Sequence, residues 1–225
     1  MKPATRTLIA LVPPQEPVPP LAVRVVARAE LPTRHGTFTA VAFLNNRERA
    51  EHIALVRGRP EGREEVLTRV HSECLTGDAF GSLRCDCRDQ LDLALARLAR
   101  EETGVLLYLR QEGRGIGLVN KIRAYALQDG GLDTVDANRA LGFADDERDY
   151  AVAAGMLRAL GVRSVKLLTN NPYKILELER HGLRVASRVP HEATPNAHNS
   201  FYLETKARRC GHLFGIPDGP EDEAA

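Results

Sequence analysis

The chain has no run of about 18 apolar residues, so a transmembrane helix is not expected. It also lacks a signal-peptide core. The apolar stretch from Leu8 to Val12 is too short and runs into prolines rather than a cleavage site. An excess of charge of one sign is missing too: 31 basic and 30 acidic residues leave a formal net charge of +1. That is not the footprint of a protein that coats nucleic acid. Lysine is scarce. Lys2, Lys121, Lys166, Lys174 and Lys206 are all there are, and arginine supplies the other basic positions. Arginine binds phosphate through a planar fork, but its abundance alone assigns no function. Cysteine is limited to four residues. With no sign of secretion, a cytoplasmic, reducing setting is expected, where thiols serve metals or catalysis rather than disulfides.

What remains is 225 residues with 43% hydrophobic content, enough for a proper core in one large domain or two small ones. Residues 1–21 carry Pro3, Pro13, Pro14, Pro17, Pro19 and Pro20 without periodicity and read as a flexible arm. Residues 214–225 read as a disordered acidic tail. Residues 22–213 between them show no convincing linker or internal repeat and read as a single globular domain. Val23–Ala29, Thr37–Phe43, His52–Val56 and Val66–Val70 are β-branched or alternating runs separated by Gly, Pro and Asn, which predicts an antiparallel sheet in the first third. The period then changes. Leu91, Ala94, Leu95 and Leu98 follow i, i+3, i+4, i+7 spacing, which predicts a helix from Asp86 to about Arg100. Val105–Leu109 and Val165–Thr169 read as buried strands and Val185–Val189 as a last one. Helices are expected over Leu118–Gln128, from a cap at Asp145 or Asp146 to Leu160, from Pro172 to Gly182, and over Ser200–Arg209. The class is α+β, strand-rich first and alternating strand and helix later.

Three of the cysteines lie close together, in Arg69-Val-His-Ser-Glu-Cys74-Leu-Thr-Gly-Asp and Leu-Arg-Cys85-Asp-Cys87. Three thiolates suit a zinc ion and leave a tetrahedral position open, as catalytic sites do. Ordinary buried thiols, or a structural site closed by His71, are the alternatives that spacing leaves open. His71-Ser-Glu73 mimics half of a zinc-deaminase signature, but the Pro-Cys-x-x-Cys half is missing. Cys85 and Cys87 fall at a helix start, which favours a thiolate. Cys210 stands alone near the C-terminus.

Two turns could hold an anion. Gly113-Arg114-Gly115-Ile116-Gly117 lies before a helix N-terminus, although it is neither a Walker A loop nor a full dinucleotide fingerprint. Leu167-Leu-Thr169-Asn170-Asn171-Pro172-Tyr-Lys174 ends a strand in polar side chains, and ligands bind at such carboxyl ends. A flexible Gly-rich turn and a simple capped strand-to-helix turn are the plain alternatives. Asp145-Asp146-Glu147-Arg148-Asp149 reads as a solvated helix start. Lys121 and Arg123 are expected on a solvated face, and His191, His198 and His212 on the surface.

Several of these strings, with Asn120-Lys-Ile-Arg-Ala-Tyr-Ala-Leu-Gln128 and Tyr202-Leu-Glu-Thr-Lys206, resemble GTP cyclohydrolase II, the enzyme that opens riboflavin biosynthesis. The resemblance runs over about residues 22–213, with the strings in the family's order. It implies a reaction of GTP and water that yields formate, pyrophosphate and 2,5-diamino-6-ribosylamino-4(3H)-pyrimidinone 5′-phosphate. Carried over position by position, it makes Cys74, Cys85 and Cys87 the zinc ligands. It assigns Arg69, Val70, His71, Ser72, Glu73, Gln90, Glu112, Gly113, Arg114, Thr134, Thr169 and Lys174 to GTP binding. It makes Asp146 a proton acceptor, Arg148 a proposed nucleophile, and Tyr125 a neighbour of the guanine ring. It further implies Mg²⁺ on the triphosphate, a homodimer, and no nucleic-acid or membrane partner. The dihydroxybutanone-phosphate synthase domain sometimes fused ahead of this enzyme is not expected before the short arm.

Physical chemistry supports most of these roles. Zinc would activate water for attack at C8 of guanine. Glu112 is an acceptor pair suited to guanine's N1–H and amine edge. Arg148 is a poor nucleophile, because a guanidinium stays protonated; a charge clamp on the α-phosphate is easier. Arg88-Asp89 replace the smaller or apolar residues common in the family and are expected to point outward. The rival readings are a catalytically silent relative that binds nucleotide or holds zinc structurally, and a zinc-ribbon nucleic-acid module. The near-zero charge and the lack of a second Cys pair disfavour the latter.

Overall fold

The computed structural model describes residues 19–194 and residue 213. The N-terminal arm, the helix expected over Ser200–Arg209, the Tyr202–Lys206 string, Cys210, His198, His212 and the acidic tail lie outside them. Among the described residues, seven strands form one mixed sheet in the order β1-β2-β3-β5-β4-β6-β7. Six α-helices pack around it, giving the α+β class expected.

The first strands are β1 (Val23–Thr33), β2 (Gly36–Asn45) and β3 (His52–Arg57), an antiparallel meander. β1 and β2 meet at Thr33↔Gly36, a turn tight enough to use the positive φ of Gly36. The expected antiparallel sheet needs one correction. β4 (Val66–Ser72) does not continue the meander. β5 (Gly104–Leu109) inserts between β3 and β4, antiparallel to β3 and parallel to β4. The run Gly-Val-Leu-Leu-Tyr-Leu explains this position. It is buried almost throughout, as a central strand covered on both faces must be. β6 (Ser164–Leu168) and β7 (Arg184–Val189) extend the parallel half.

Helices cover both faces. Short α1 (Leu75–Asp78) follows β4, and α2 (Cys87–Leu98) turns Ala94, Leu95 and Leu98 onto Phe38, Leu106 and Leu168. A 3-10 turn at Glu112–Gly115 leads into α3 (Gly117–Asp129). Helix α4 (Thr134–Ala140) went unpredicted; Asp133 caps it by accepting from Val135 N and Asp136 N. α5 (Ala151–Ala159) and α6 (Pro172–Arg180) pack on the other face against Val41, Val56, Val105, Leu107 and Val165. α5 also starts later than expected. Asp145 and Asp146 do not cap it, and Asp149 instead accepts from Ala151 N at 2.7 Å. The acidic run before it is an ordered loop, because Arg139 and Arg148 engage its carboxylates. No helix among the described residues is long and apolar enough to cross a membrane.

Candidate functional site

The parallel strands β4, β5 and β6 end at one edge of the sheet, and the segments leaving them meet there. β4 delivers Ser72, Glu73 and Cys74, β5 delivers Gln111 to Arg114, and β6 delivers Thr169 to Asn171. The cavity they line measures about 440 Å³, within the range of small-molecule sites. Binding at the carboxyl ends of parallel strands is the general rule for such sheets.

One wall is the thiol cluster. The sulfurs of Cys74, Cys85 and Cys87 all lie within 4.8 Å of one another. Cys74 Sγ and Cys85 Sγ are 3.6 Å apart. Tetrahedral bonds of about 2.3 Å to one zinc would put sulfurs roughly 3.7–3.8 Å apart, so the spacing fits such an ion. His71 is not in the cluster, so a site closed by it as fourth ligand is not what forms. Its Nε2–H points to Asp78 instead, at 3.0 Å from Oδ2. Asp78 also accepts from Tyr108 OH at 2.8 Å and Cys74 N at 3.0 Å, which fixes the turn carrying the first thiol. Burial lowers the pKa of His71 against the opposing pull of Asp78, so the ring is neutral. Among the thiols, hydrogen bonds from Cys85, Cys87 and Lys121 lower the pKa of Cys74. The thiol of Cys85 is pushed up to about 11, first by Cys74. The three can all be thiolates only with a cation between them, so metal binding and loss of the protons go together.

Gly77 makes the cluster sterically feasible. A Cβ there would sit 2.8 Å from Cys85 Sγ and 3.1 Å from Cys74 Sγ. Arg88, expected to point outward, instead reaches back to the carbonyl of Asp78 and to Asp92 Oδ2 at 3.1 Å. It ties α2 to α1 because its aliphatic stem can lie along the protein while its fork finds acceptors. Asp89 is exposed as expected.

The other wall is basic and polar. Arg69 is buried, donates to Leu168 O at 2.8 Å and is clamped by Gln90, which Asp86 holds in turn. Burial draws its pKa down to about 10, which leaves it charged. Lys174 donates to Val70 O at 2.8 Å and lies 5.9 Å from the Tyr150 ring. The Arg148 fork grips Asp146, with Nε 2.8 Å from Oδ1. Burial raises the Asp146 pKa, but the hydrogen bond and charge of Arg148 outweigh it and leave it lowered. Gly113 and Arg114 both adopt left-handed backbone, φ +63° and +61°. The glycine does so freely; Arg114 does so at a cost usually met at functional sites. Tyr125 forms part of the floor beneath Arg84, whose guanidinium lies 5.0 Å from its ring centre.

Of the residues assigned by resemblance, all line this cavity except Val70 and Asp146. Val70 has its side chain in the core and offers only its carbonyl, and Asp146 stands behind Arg148. Glu112, expected to read the guanine edge, lines the cavity with its carboxylate held by protein donors. Its carboxylate accepts from Leu75 N at 2.6 Å, Gly113 N at 2.8 Å and Lys121 Nζ at 2.8 Å. Sequence reasoning put Lys121 and His191 on solvated surfaces, yet both are buried and line the cavity. His191 donates from Nε2 to Gln90 O at 2.8 Å, and burial takes its pKa down to about 3. For Lys121 a signal existed: it is one of few lysines in an arginine-rich chain, four residues before Tyr125 and so on its helix face. For His191 there was none. Arg123 is exposed as expected.

In this α+β fold three thiols close enough together to hold a metal share one cavity with basic side chains, as in enzymes with a small-molecule site at the ends of parallel strands. Within that class, the family model described as GTP cyclohydrolase II matches residues 23–190, and the chain belongs to the GTP cyclohydrolase II family of enzymes. It is 58% identical to "GTP cyclohydrolase-2" of Tolumonas auensis over 192 residues, 85% of this chain and 98% of that one. It is 57% identical to "GTP cyclohydrolase-2" of Pseudomonas putida over 84% of this chain and 93% of that one. It is 56% identical to "Riboflavin biosynthesis protein RibBA" of Bacillus mycoides, over 83% of this chain and 47% of that longer one.

Proposed function

We propose that this chain hydrolyses GTP to 2,5-diamino-6-ribosylamino-4(3H)-pyrimidinone 5′-phosphate, formate and pyrophosphate, the opening step of riboflavin biosynthesis in the cytoplasm. The observation that carries the proposal is one cavity shared by the thiols of Cys74, Cys85 and Cys87 and the cations Arg69, Arg114, Arg148 and Lys174. A purine nucleotide has a base for the first wall and phosphates for the second. Zinc fits the thiols and, when held there, supplies Lewis acidity and an activated water at neutral pH. Tyr125 lines the same cavity as the three sulfurs and offers a flat face for the guanine ring. Thr134 begins α4 at the cavity wall and Thr169 directly follows β6 there, both offering hydroxyls to the substrate. Arg114, Arg148 and Lys174 neutralise the triphosphate, carried with Mg²⁺, as pyrophosphate leaves.

Arg148 works best as a clamp. Asp146 accepts its Nε–H, an Nη2–H and its backbone N–H, which holds the planar fork in one orientation beside the place for the α-phosphate. The chain acts as a homodimer. Val119 and Ile122 on α3, with Phe80 and Leu83 nearby in sequence to the thiols, are large apolar side chains at 48–75% exposure. Such exposure suits burial against a second copy, and light scattering at the dimer mass checks it. The domain spans 22–213, with an arm before it and a tail after it.

The deciding experiment is incubation of zinc-loaded protein with GTP and Mg²⁺, reading formate, pyrophosphate and a pyrimidine absorbance together. All three should rise in equal amounts. Binding of zinc and GTP without any product would refute the activity and point to a silent relative.

A further inference from the structure

The function above leaves Lys121 without a task, although its placement is elaborate. Its ammonium is buried, 3.0 Å from Cys74 Sγ and 2.8 Å from Glu112 Oε1, and 5.7 Å from the Tyr125 ring centre. Glu112 is itself pinned by two backbone N–H groups, so it cannot swing away. Gly113 completes the seat, since a Cβ there would lie 3.1 Å from Lys121 Cβ. Three groups thus aim one cation at one sulfur.

Three thiolates make a poor Lewis acid of a divalent metal, because each donates strongly and together they outweigh its charge. A hydrogen bond from an ammonium to a thiolate withdraws electron density from that sulfur. Residues behind the ligands tune metals in this way. The effect falls on Cys74 alone, since no such donor is found at Cys85 or Cys87 among the described residues.

We propose that Lys121, oriented by Glu112, is a positioning residue that weakens the donation of Cys74 and so sharpens the metal centre for ring opening. This rests on the reading that the three thiols hold a metal. The role also gives Glu112 a function that suits its three internal donors better than contact with the base.

The test is cobalt(II) in place of zinc, whose thiolate charge-transfer bands report sulfur donation directly. Wild type should absorb at the highest energy, and Lys121→Met at lower energy with the same cobalt stoichiometry. Lys121→Gln, a neutral donor, should fall between them, and Lys121→Arg near wild type. Glu112→Gln should move the bands in the same direction as Lys121→Met, by less. With zinc, Lys121→Met should lower kcat for formate release by about 10–100-fold while KM for GTP stays put. Bands that do not move in Lys121→Met or Lys121→Gln at full cobalt occupancy would overturn the proposal. If one variant fails to fold, the other and Glu112→Gln still read the same bands. A wild type that takes up no metal would instead sink the reading beneath it.

Discussion

The two halves of the sheet do different work. The antiparallel half, β1 to β3, places no residue in the cavity, whereas the parallel half supplies its strand-derived walls from the ends of β4, β5 and β6. The difference is geometric. Antiparallel neighbours send their loops to alternate edges, so their ends scatter. Parallel neighbours release their chains at the same edge, and three loops converge. β5 belongs to both halves, antiparallel to β3 and parallel to β4. It is the seam that lets a stable scaffold brace a chemically crowded edge.

The sharpest way to break this comparison is to change one residue at the crowded edge and one in the antiparallel half. Cys85→Ser should abolish formate release and most bound zinc, the latter read by elemental analysis, while far-UV circular dichroism stays near wild type. Full zinc occupancy in that variant would separate the thiols from the metal. Phe43→Ala, in the antiparallel half, should cost about 3–5 kcal/mol of stability by leaving a core cavity, measured by urea unfolding. Its kcat, taken where the protein remains folded, should be unaltered. A large kcat loss at full folding would show that the halves are not separable.

Next in size is Arg148. Arg148→Ala should lower pyrophosphate release by about 10²–10³-fold, the usual cost of losing one charge-stabilising donor. Arg148→Lys should fall between, since it keeps the charge and loses the fork. A covalent guanylyl adduct on Arg148, caught by intact mass spectrometry during turnover, would establish a nucleophile instead of a clamp. Gly77→Ala should weaken zinc binding by about 10–100-fold, read by chelator competition, because its Cβ intrudes on two sulfurs. The smallest effect concerns Asp146. Its pKa is depressed in the folded state, so the stability it contributes is present above the unfolded carboxylate value near 4 and is lost as pH falls through the lower folded one. Asp146→Asn should therefore flatten the acid limb of stability against pH, followed by urea midpoints. An unchanged limb would place the loss elsewhere.

The same division governs what the sequence disclosed. The antiparallel strands alternate openly, and α2 shows its Leu91-Ala94-Leu95-Leu98 stripe, so local period was enough. The insertion of β5 beside β3 is a long-range pairing that no window of the chain records. Within the cavity the thiols were legible because three cysteines in a cysteine-poor chain stand out. Lys121 and His191 were not, since burial of a polar residue depends on partners far away in sequence: Glu112 for one, the carbonyl of Gln90 for the other. The acidic run at 145–149 misled for a related reason. Its carboxylates looked like helix caps, but Arg139 and Arg148 compete for them and hold a loop. Gly77 was ordinary in the sequence and decisive in space.

The insertion of β5 has a consequence for synthesis. As the chain leaves the ribosome, β1, β2 and β3 emerge as a complete hairpin pair, but the outer rim of β3 stays bare until Gly104–Leu109 arrives. At roughly 5–20 residues per second, that interval lasts a few seconds. During it, a strand reading His-Ile-Ala-Leu-Val-Arg offers unpaired backbone to any extended neighbour, including another nascent copy. The one charge inside that interval's guard is Arg57 at the strand's end. The register between Ile53–Arg57 and Gly104–Tyr108 therefore forms only after the intervening segment, β4 included, has been made.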